Sequence, residues 1–348
     1  MMKKTLRTMM AFAMTALALT ACSKPAAEPT TVAETTTAAE TAAETTASAE
    51  DVVRVGSLKG PTSMGLVYLM DQNEQGKASQ AYDFSMVTAA DELLPKVISG
   101  DIDIALVPAN VASVLYNKTN GGVTVIDVNT LGVLDLVSAD GNINSITDLK
   151  GKTVYMTGKG TTPEYVMNYL IKVSGMDAGD VTLEFKSEPT EVAAVLAEQD
   201  DAIGFLPQPF VTAACAQNDK LNIVLKASDV WDEFQEEGGS RLVTGVTVVR
   251  NEFLKEHAEA VDTFLIEHDA SAEFANSSVD EAAELVAKAG IVEKAPVAKK
   301  ALPECNITCI TDEEMKDAVS GYLQVLFDQN PESVGGKLPA DDFYYVGE

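Results

Sequence analysis

The sequence predicts an α/β fold of two lobes, each built on a mixed, mostly parallel sheet flanked by helices, with a hinge and a central cleft. From Asp51 onward, short β-branched runs alternate with amphipathic runs, a pattern typical of parallel sheets with helical crossovers. The 348 residues, 46% of them apolar, are enough for about two lobes. Two strand-like runs nearly fuse at Thr130, where we expect the chain to leave the first lobe, and a long strand near Thr244 brings it back. The predicted segments are residues 51–130 and 242–348 for lobe 1 and residues 131–241 for lobe 2.

Apolar periodicity predicts the elements of the first lobe in order, with Gly76 and Gly100 ending two of its helices. The predicted strands are Val52–Gly56, Tyr82–Thr88, Ile102–Val107, Val123–Asn129 and Leu242–Val249. The predicted helices are Met64–Asn73, Asp91–Ser99, Asn110–Tyr116, Asn251–Glu267, Val279–Ala289 and Asp312–Asp328.

The second lobe repeats the same strand, turn and helix order. Its predicted strands are Leu131–Ser138, Lys152–Met156, Val181–Lys186, Ala202–Leu206 and Leu221–Lys226. Its predicted helices are a brief one at Ile146–Gly151, then Tyr165–Ser174, Glu191–Glu198, Phe210–Gln217 and Val230–Glu236.

The turn Thr157–Glu164 lies between a predicted strand and a predicted helix and is rich in small residues. Its glycines allow the backbone to approach a bound group, Thr161 or Thr162 can cap the helix, and Pro163 suits the first helical turn. Free N–H groups at such a helix start would form a seat for a carboxylate, sulfonate, phosphate or polar ring. The alternative is a capped helix start that satisfies its own backbone.

The N-terminal segment predicts export and lipid anchoring. Lys3, Lys4 and Arg7 precede a short apolar run, and Leu19–Cys22 closes it in the manner of a bacterial lipobox. We predict a signal peptide over residues 1–21 and lipidation of Cys22 at the outer face of the cell membrane, or at the periplasmic side in a Gram-negative cell. An ordinary signal peptide with an incidental cysteine is the alternative. Residues 22–50, mostly Ala, Thr and Glu, predict a disordered tether with a reach of roughly 30 Å.

The charge balance excludes one class of partner. The chain has 53 acidic and 25 basic residues, a formal net charge of −28, which becomes three units more negative when the signal peptide is removed. Nucleic-acid phosphates repel such a body, so no nucleic-acid partner is expected.

Three cysteines follow Cys22, and two of them, Cys305 and Cys309, delimit a short predicted loop. This pair either closes as a disulfide or stays reduced, with Cys215 buried or free in both cases. The loop is a poor zinc site because no second cysteine pair and no histidine stand near it in the sequence. His257 and His268, placed on one predicted helix, are about 16 Å apart along its axis and cannot share a metal ion. No metal site is predicted.

Motifs of common enzyme classes are incomplete. Gly151–Thr153 resembles the end of a phosphate-binding loop, but Ile146 stands where its first glycine is required. Asp140–Asn144 resembles a calcium loop, but Gly151 occupies the place of the closing carboxylate. With two histidines, neither in a turn, a serine or cysteine nucleophile is not expected, and we predict no catalytic residue and no cofactor.

Several stretches resemble solute-binding proteins of ABC transporters, in the branch that binds nitrate, sulfonates, taurine or thiamine-pyrimidine precursors. The stretches that carry this resemblance are the lipobox, Val97–Ala105, Asp148–Val154, Gly160–Tyr165 and Asp201–Phe210. The resemblance covers about residues 52–290 and depends on the order of these motifs. It implies a type II periplasmic-binding-protein fold that delivers a solute to a membrane permease.

The resemblance also implies four ligand-contacting turns. The residues at these positions are Leu58, Lys59, Gly60, Thr62 and Ser63; Pro108, Ala109 and Asn110; Thr157, Gly158, Lys159, Gly160, Thr161 and Thr162; and Leu206, Pro207 and Gln208. Gln208 stands where many relatives carry glutamate, and none of the four turns contains arginine. Lys59 and Lys159 favour an anionic ligand if they face the cleft, whereas Asn110 and Gln208 suit a neutral polar one. The single tryptophan, Trp231, either stacks on a ligand ring or packs in the core.

The functional prediction is an extracytoplasmic lipoprotein that binds a small polar or anionic solute and hands it to the permease and ATPase subunits of an ABC importer. We expect a monomer that binds without turnover. The alternatives are an enzyme of the same fold, of the pyrimidine-precursor or menaquinone type, and a surface sensor or adhesin without transport.

Overall fold

A computed structural model describes residues 52–235 and 240–347 of the chain. The predicted signal peptide, Cys22 and the tether lie outside the described residues. The strands of this part are β1 Val52–Leu58, β2 Ala81–Val87, β3 Ile104–Pro108, β4 Val123–Leu131, β5 Leu134–Ser138, β6 Thr153–Met156, β7 Thr182–Phe185, β8 Ile203–Pro207, β9 Asn222–Lys226, β10 Val243–Arg250 and β11 Ile307–Ile310.

Helices cover and connect these strands. They are α1 Pro61–Met64, α2 Val67–Glu74, α3 Ala90–Ser99, α4 Ala109–Thr119, α5 Thr162–Val173, α6 Pro189–Glu198, α7 Phe210–Gln217, α8 Ala227–Glu233, α9 Asn251–Glu256, α10 Ala258–Ser277, α11 Val279–Lys288, α12 Ala295–Ala301 and α13 Asp312–Gln329. No helix within the described residues is both long and apolar enough to cross a membrane.

The strands form two mixed sheets. The six-stranded sheet has the order β11-β4-β10-β3-β1-β2, and the five-stranded sheet has the order β7-β6-β8-β5-β9. Parallel pairs, such as β1 with β3 and β6 with β8, lie beside antiparallel partners, β10 in the first sheet and β5 in the second. The predicted α/β class with two mixed sheets flanked by helices is confirmed. The sheets are not mostly parallel as predicted, because β10 and β5 run against their neighbours and five of the nine strand pairs in the described part of the chain are antiparallel.

A buried ion cluster fixes the start of β3 against β1 and β10. The side chain of Asp103 is 1% exposed. It accepts hydrogen bonds from the backbone N–H of Arg54 at 3.0 Å, from Arg54 Nε at 2.8 Å and from Arg250 Nη2 at 3.0 Å. The carboxylate is therefore paired and hydrogen-bonded on both oxygens, as a buried charge requires.

The structure differs from the predicted elements at several places. The helix predicted over Met64–Asn73 is divided into α1 and α2, and α12 has no predicted counterpart. The helix predicted over Asn251–Glu267 is broken at His257, where the backbone leaves the helical region, and the second part, α10, continues to Ser277. The segment predicted as a cysteine loop contains the strand β11, which pairs antiparallel with β4 at the edge of the sheet. Neither of these last two differences could be predicted from a local sequence pattern. The helix break depends on the conformation of one residue, and β11 depends on pairing with a distant strand.

The disulfide considered for Cys305 and Cys309 is not formed; both residues are free thiols. Cys305 is buried and its Sγ lies 3.7 Å from Met64 Sδ. Cys309 belongs to β11, and its Sγ lies 3.9 Å from His268 Nδ1. The two sulfur atoms therefore contact different neighbours. The extended backbone of β11 also carries Cys309 away from Cys305, so the two do not form a bond.

Candidate functional site

The four predicted turns follow the carboxyl ends of four strands. They connect β1 to α1, β3 to α4, β6 to α5 and β8 to α7. Since β1 lies beside β3 and β6 lies beside β8, each sheet contributes two adjacent turns. In open α/β sheets, ligands bind outside the carboxyl ends of the strands.

The first turn, Leu58–Ser63, is held by its own hydroxyl groups. Thr62 Oγ1 donates to the carbonyl of Leu58 at 3.1 Å, and Ser63 Oγ lies 2.8 Å from Ser57 Oγ. Thr62 and Ser63 are buried, whereas the side chain of Lys59 is exposed. Gly60 adopts a φ of 152°, in a region that favours glycine, and space is open where a side chain would stand.

The second and third turns contact each other across the two sheets. Asn110, at the start of α4, is 3% exposed, and its Oδ1 accepts a hydrogen bond from Thr162 Oγ1 at 3.1 Å. Its Nδ2 donates to the carbonyl of Ser333 at 3.3 Å. The structure thus brings together two residues that the sequence places in the binding site from positions 52 residues apart.

The third turn satisfies part of its own backbone. Gly158 and Gly160 both adopt positive φ, and the N–H of Gly160 donates to the carboxylate of Glu164. At Gly160 the structure has the second of the two alternatives, a turn that satisfies its own backbone, because Glu164 in the first turn of α5 supplies the acceptor. Lys159 is exposed and lies over the ring of Phe185, with Nζ 5.8 Å from the ring centroid.

The fourth turn places Gln208 in a fully buried position. Its Nε2 donates to Asp135 Oδ2 at 3.2 Å, and its Oε1 accepts from Thr212 Oγ1 at 2.8 Å. Burial raises the pKa of Asp135 to about 6, although the Gln208 amide and Lys226 act to lower it. Gln208 therefore orients a buried acid whose pKa is raised.

A cavity of about 410 Å³ lies beside Asp135, between the end of β4 and the end of β9. Its charged lining comprises Asp135, Asp229, Asp232 and Glu304 together with Lys226 and Arg241. Lys226 pairs with Glu304 at 2.5 Å, which joins the end of β9 to the segment before β11. None of the four predicted turns contributes a residue to this cavity.

Sequence reasoning missed these charged residues. One signal was present in the predicted strand Leu131–Ser138, where Asp135 is the only charged residue in an otherwise mostly apolar run. A charge inside a buried strand is costly unless it is paired or hydrogen-bonded, so it marks a position to examine. No comparable signal marks Lys226, Arg241 and Glu304. None of these charged residues lies inside an apolar run of the sequence.

Two comparisons address the class of protein. Residues 120–282, just under half of the chain, match the family model described as NMT1/THI5 like. A Brucella abortus (strain 2308) protein named only as a binding protein is 24% identical over 237 residues, which cover 66% of this chain and 70% of that protein.

Solved structures give the fold. The structure of an ABC transporter protein from Parabacteroides distasonis matches with a TM-score of 0.72 and 22% identity, covering 86% of this chain and 100% of the other. The periplasmic aliphatic sulphonate binding protein of Escherichia coli matches with a TM-score of 0.66 and 17% identity, covering 82% and 96%. The chain has the periplasmic-binding-protein fold. The predicted resemblance to the branch that includes sulfonate-binding proteins is confirmed by the family model and by these structures together.

Proposed function

We propose that this chain is the extracytoplasmic solute-binding component of an ABC importer, which captures a small polar or anionic solute between two lobes. The observation that carries the proposal is the contact between Asn110 and Thr162, which joins a turn of the six-stranded sheet to a turn of the five-stranded sheet. The fold supports it, as do the similar structures of an ABC transporter protein and of a periplasmic aliphatic sulphonate binding protein.

The proposed lobes are residues 51–130 with 242–348, and residues 131–241. Support comes from the strands, since β1 to β4, β10 and β11 build one sheet and β5 to β9 build the other. The chain passes between the sheets twice, before β5 and before β10. Two crossings of this kind are typical of hinge closure around a ligand.

The proposed binding residues are the four turns named above, with Asn110 and Thr162 at the centre. Short polar side chains and positive-φ glycines dominate these turns, which favours hydrogen bonding to a compact solute over burial of a large apolar one. None of the four turns contains an arginine that could form a bidentate hydrogen bond with an anion. The carboxylate of Glu164 also lies beside Gly160. An anionic solute would therefore depend on Lys59, Lys159 and backbone N–H groups.

The proposal predicts that the protein binds its solute without converting it chemically. The protein as purified is examined by native mass spectrometry for a retained solute, and a thermal-shift panel of sulfonates, nitrate, pyrimidines, flavins and amino acids follows. A solute at 100 times its Kd stabilises the fold by about 2.7 kcal/mol, which produces a clear shift. We expect one solute bound per chain and recovered unchanged; a chemically altered solute would contradict the proposal and favour an enzyme.

The position of the site is tested with matched variants. Asn110→Ala and Gly160→Val are each expected to weaken solute binding at least about tenfold, because each removes or blocks a contact in the proposed cleft. Asn117→Ala is the control for the first, since Asn117 also lies on α4 and its Nδ2 donates to the carbonyl of Val334. Gly151→Val is the control for the second, because Gly151 has nearly the same φ, 76° against 74°, and equally open surroundings. Equal binding by each variant and its control would place the solute elsewhere.

The proposal includes membrane anchoring through Cys22 and delivery to a permease and ATPase, with the binding protein acting as a monomer. The lipobox and the tether-like composition of residues 22–50 support the anchor. We expect Cys22→Ser to release the protein from the membrane fraction and to abolish palmitate labelling. Retention of the label in that variant would exclude lipidation at this residue.

A further inference from the structure

Three metal-ligating side chains from distant parts of the sequence meet beneath the six-stranded sheet. Asp127 lies on β4, His268 on α10 and Cys309 on β11. His268 Nδ1 is 3.1 Å from Asp127 Oδ2 and 3.9 Å from Cys309 Sγ, and the three atoms all lie within 4.8 Å of one another. No histidine stands near Cys309 in the sequence, but folding brings His268, 41 residues away, to 3.9 Å from its Sγ.

The geometry does not suit a nucleophile and its base. In such a pair one imidazole nitrogen faces the nucleophile while the other faces the carboxylate. Here the same nitrogen, Nδ1, faces both Cys309 and Asp127. His268 Nε2 is buried and has no hydrogen-bond partner within the described part of the chain. The polar atoms of the cluster converge on one point instead of forming a relay.

Ligand atoms that converge on one point are typical of a metal site. A tetrahedral zinc ion with bonds of about 2.0–2.3 Å holds its ligand atoms roughly 3.3–3.7 Å apart. The two distances of 3.1 and 3.9 Å lie on either side of that range, and the third, between Asp127 and Cys309, is no more than 4.8 Å, so the three ligands would have to move together only slightly to hold one ion. Thiolate, imidazole and carboxylate together form a donor set that suits zinc, whereas calcium and magnesium prefer oxygen ligands.

The surroundings orient one of the three ligands and bring a surface cavity to another. Thr247 Oγ1 donates to the second carboxylate oxygen of Asp127 at 2.8 Å, which fixes the orientation of that ligand. A surface cavity of about 390 Å³ is lined by Cys309 and by the acidic residues Asp269 and Glu273. Of the three ligands, Cys309 lines this cavity, so a cation would approach the cluster from the side of the cysteine.

We propose that Asp127, His268 and Cys309 form a zinc-binding site that is separate from the solute cleft. Binding converts the Cys309 thiol to a thiolate, and the proton leaves to solvent through the cavity. The ion joins the edge strand β11 to the central strand β4 and to the long helix α10, so it stabilises this lobe. The proposal does not depend on the identity of the solute.

The experiment is a titration of the chelator-treated full-length protein with zinc chloride in competition with a chromophoric chelator, followed by cobalt substitution. We expect one tight zinc ion per chain, and with cobalt a thiolate charge-transfer band and the intense visible bands of a tetrahedral ion. Cys309→Ser is expected to weaken zinc binding at least about tenfold and to abolish the charge-transfer band. Zinc is expected to raise the Tm of the unmodified protein and to raise the Tm of this variant less at the same zinc concentration.

Cys215→Ser is the matched control, because Cys215 is also a partly buried free thiol but lies in α7 of the other sheet. It should bind zinc as the unmodified protein does. Should Cys309→Ser fail to fold, protection of Cys309 from alkylation by zinc in the unmodified protein provides the second readout. Weak binding of several ions, unaffected by Cys309→Ser, would show adventitious binding to surface carboxylates and overturn the proposal, as would a cobalt spectrum without the thiolate band.

Discussion

Replacing Asp103 by alanine is expected to lower the free energy of unfolding by about 3–5 kcal/mol. The substitution leaves the guanidinium groups of Arg54 and Arg250 without the carboxylate that both contact, and the side chain of Arg250 is only 16% exposed. The loss is large because one partner of a buried pair disappears while the other charges stay. Urea denaturation followed by far-UV circular dichroism measures the change.

The pH dependence of this effect has a defined sign. Burial acts to raise the pKa of Asp103, but the hydrogen bonds from Arg54 and Arg250 outweigh it and hold the pKa below its usual value. The stabilisation is therefore complete above about pH 4 and is lost as the pH falls through the lowered pKa. Asp103→Asn should show its full deficit at pH 7 and a shrinking one below pH 4. The control is Asp101→Asn at the neighbouring exposed acid, and a deficit equally large in that variant would contradict the role of Asp103.

Trp231→Ala is expected to cost about 3–5 kcal/mol of unfolding free energy. The indole is fully buried, with its ring centroid 4.3 Å from that of Tyr169 on α5 and 5.7 Å from that of Tyr322 on α13. Its Nε1 donates to the carbonyl of Ser240 at 2.9 Å. Of the two roles considered for this residue, packing in the core is confirmed.

The tryptophan also joins helices of the two sheets, so its removal should loosen their association. Because Trp231 is the only tryptophan, unfolding is followed by circular dichroism instead of fluorescence. Phe234→Ala is the control on the same segment, since Phe234 is 44% exposed, and it should change stability by no more than about 0.5 kcal/mol. A Trp231→Ala variant as stable as this control would show that the indole contributes little packing energy.

Much of the fold could be predicted because its signals are local. The helix α7 has the predicted bounds, Phe210–Gln217, and Gly100 ends α3 in a left-handed conformation. The turns before α4 and α5 were recognisable from proline, glycine and threonine at strand ends. By contrast, β11 becomes a strand through pairing with β4, some 180 residues earlier, and no pattern within Cys305–Cys309 contains that information.

The candidate site could be predicted only in outline. The sequence identified Asn110 and Thr162 separately, but their mutual hydrogen bond depends on how the two sheets face each other. The role of Gln208 was less predictable, because its amide is used by Asp135 and Thr212, neither of which belongs to a predicted turn. Asp127 and Asp135 are single acids in mainly apolar strands, and that local contrast was the available sign of buried polar clusters.

The position of β10 determines the order in which the two sheets can be completed. Every strand of the five-stranded sheet lies between residues 134 and 226, whereas β10 inserts between β3 and β4 and is reached only at residue 243. During synthesis from the N-terminus, the later-starting sheet is therefore the first to have all its strands available. Until β10 emerges, β3 has one unpaired edge and β4 has two, because its other partner, β11, comes later still. We expect a nascent chain halted before residue 243 to aggregate or to bind chaperones.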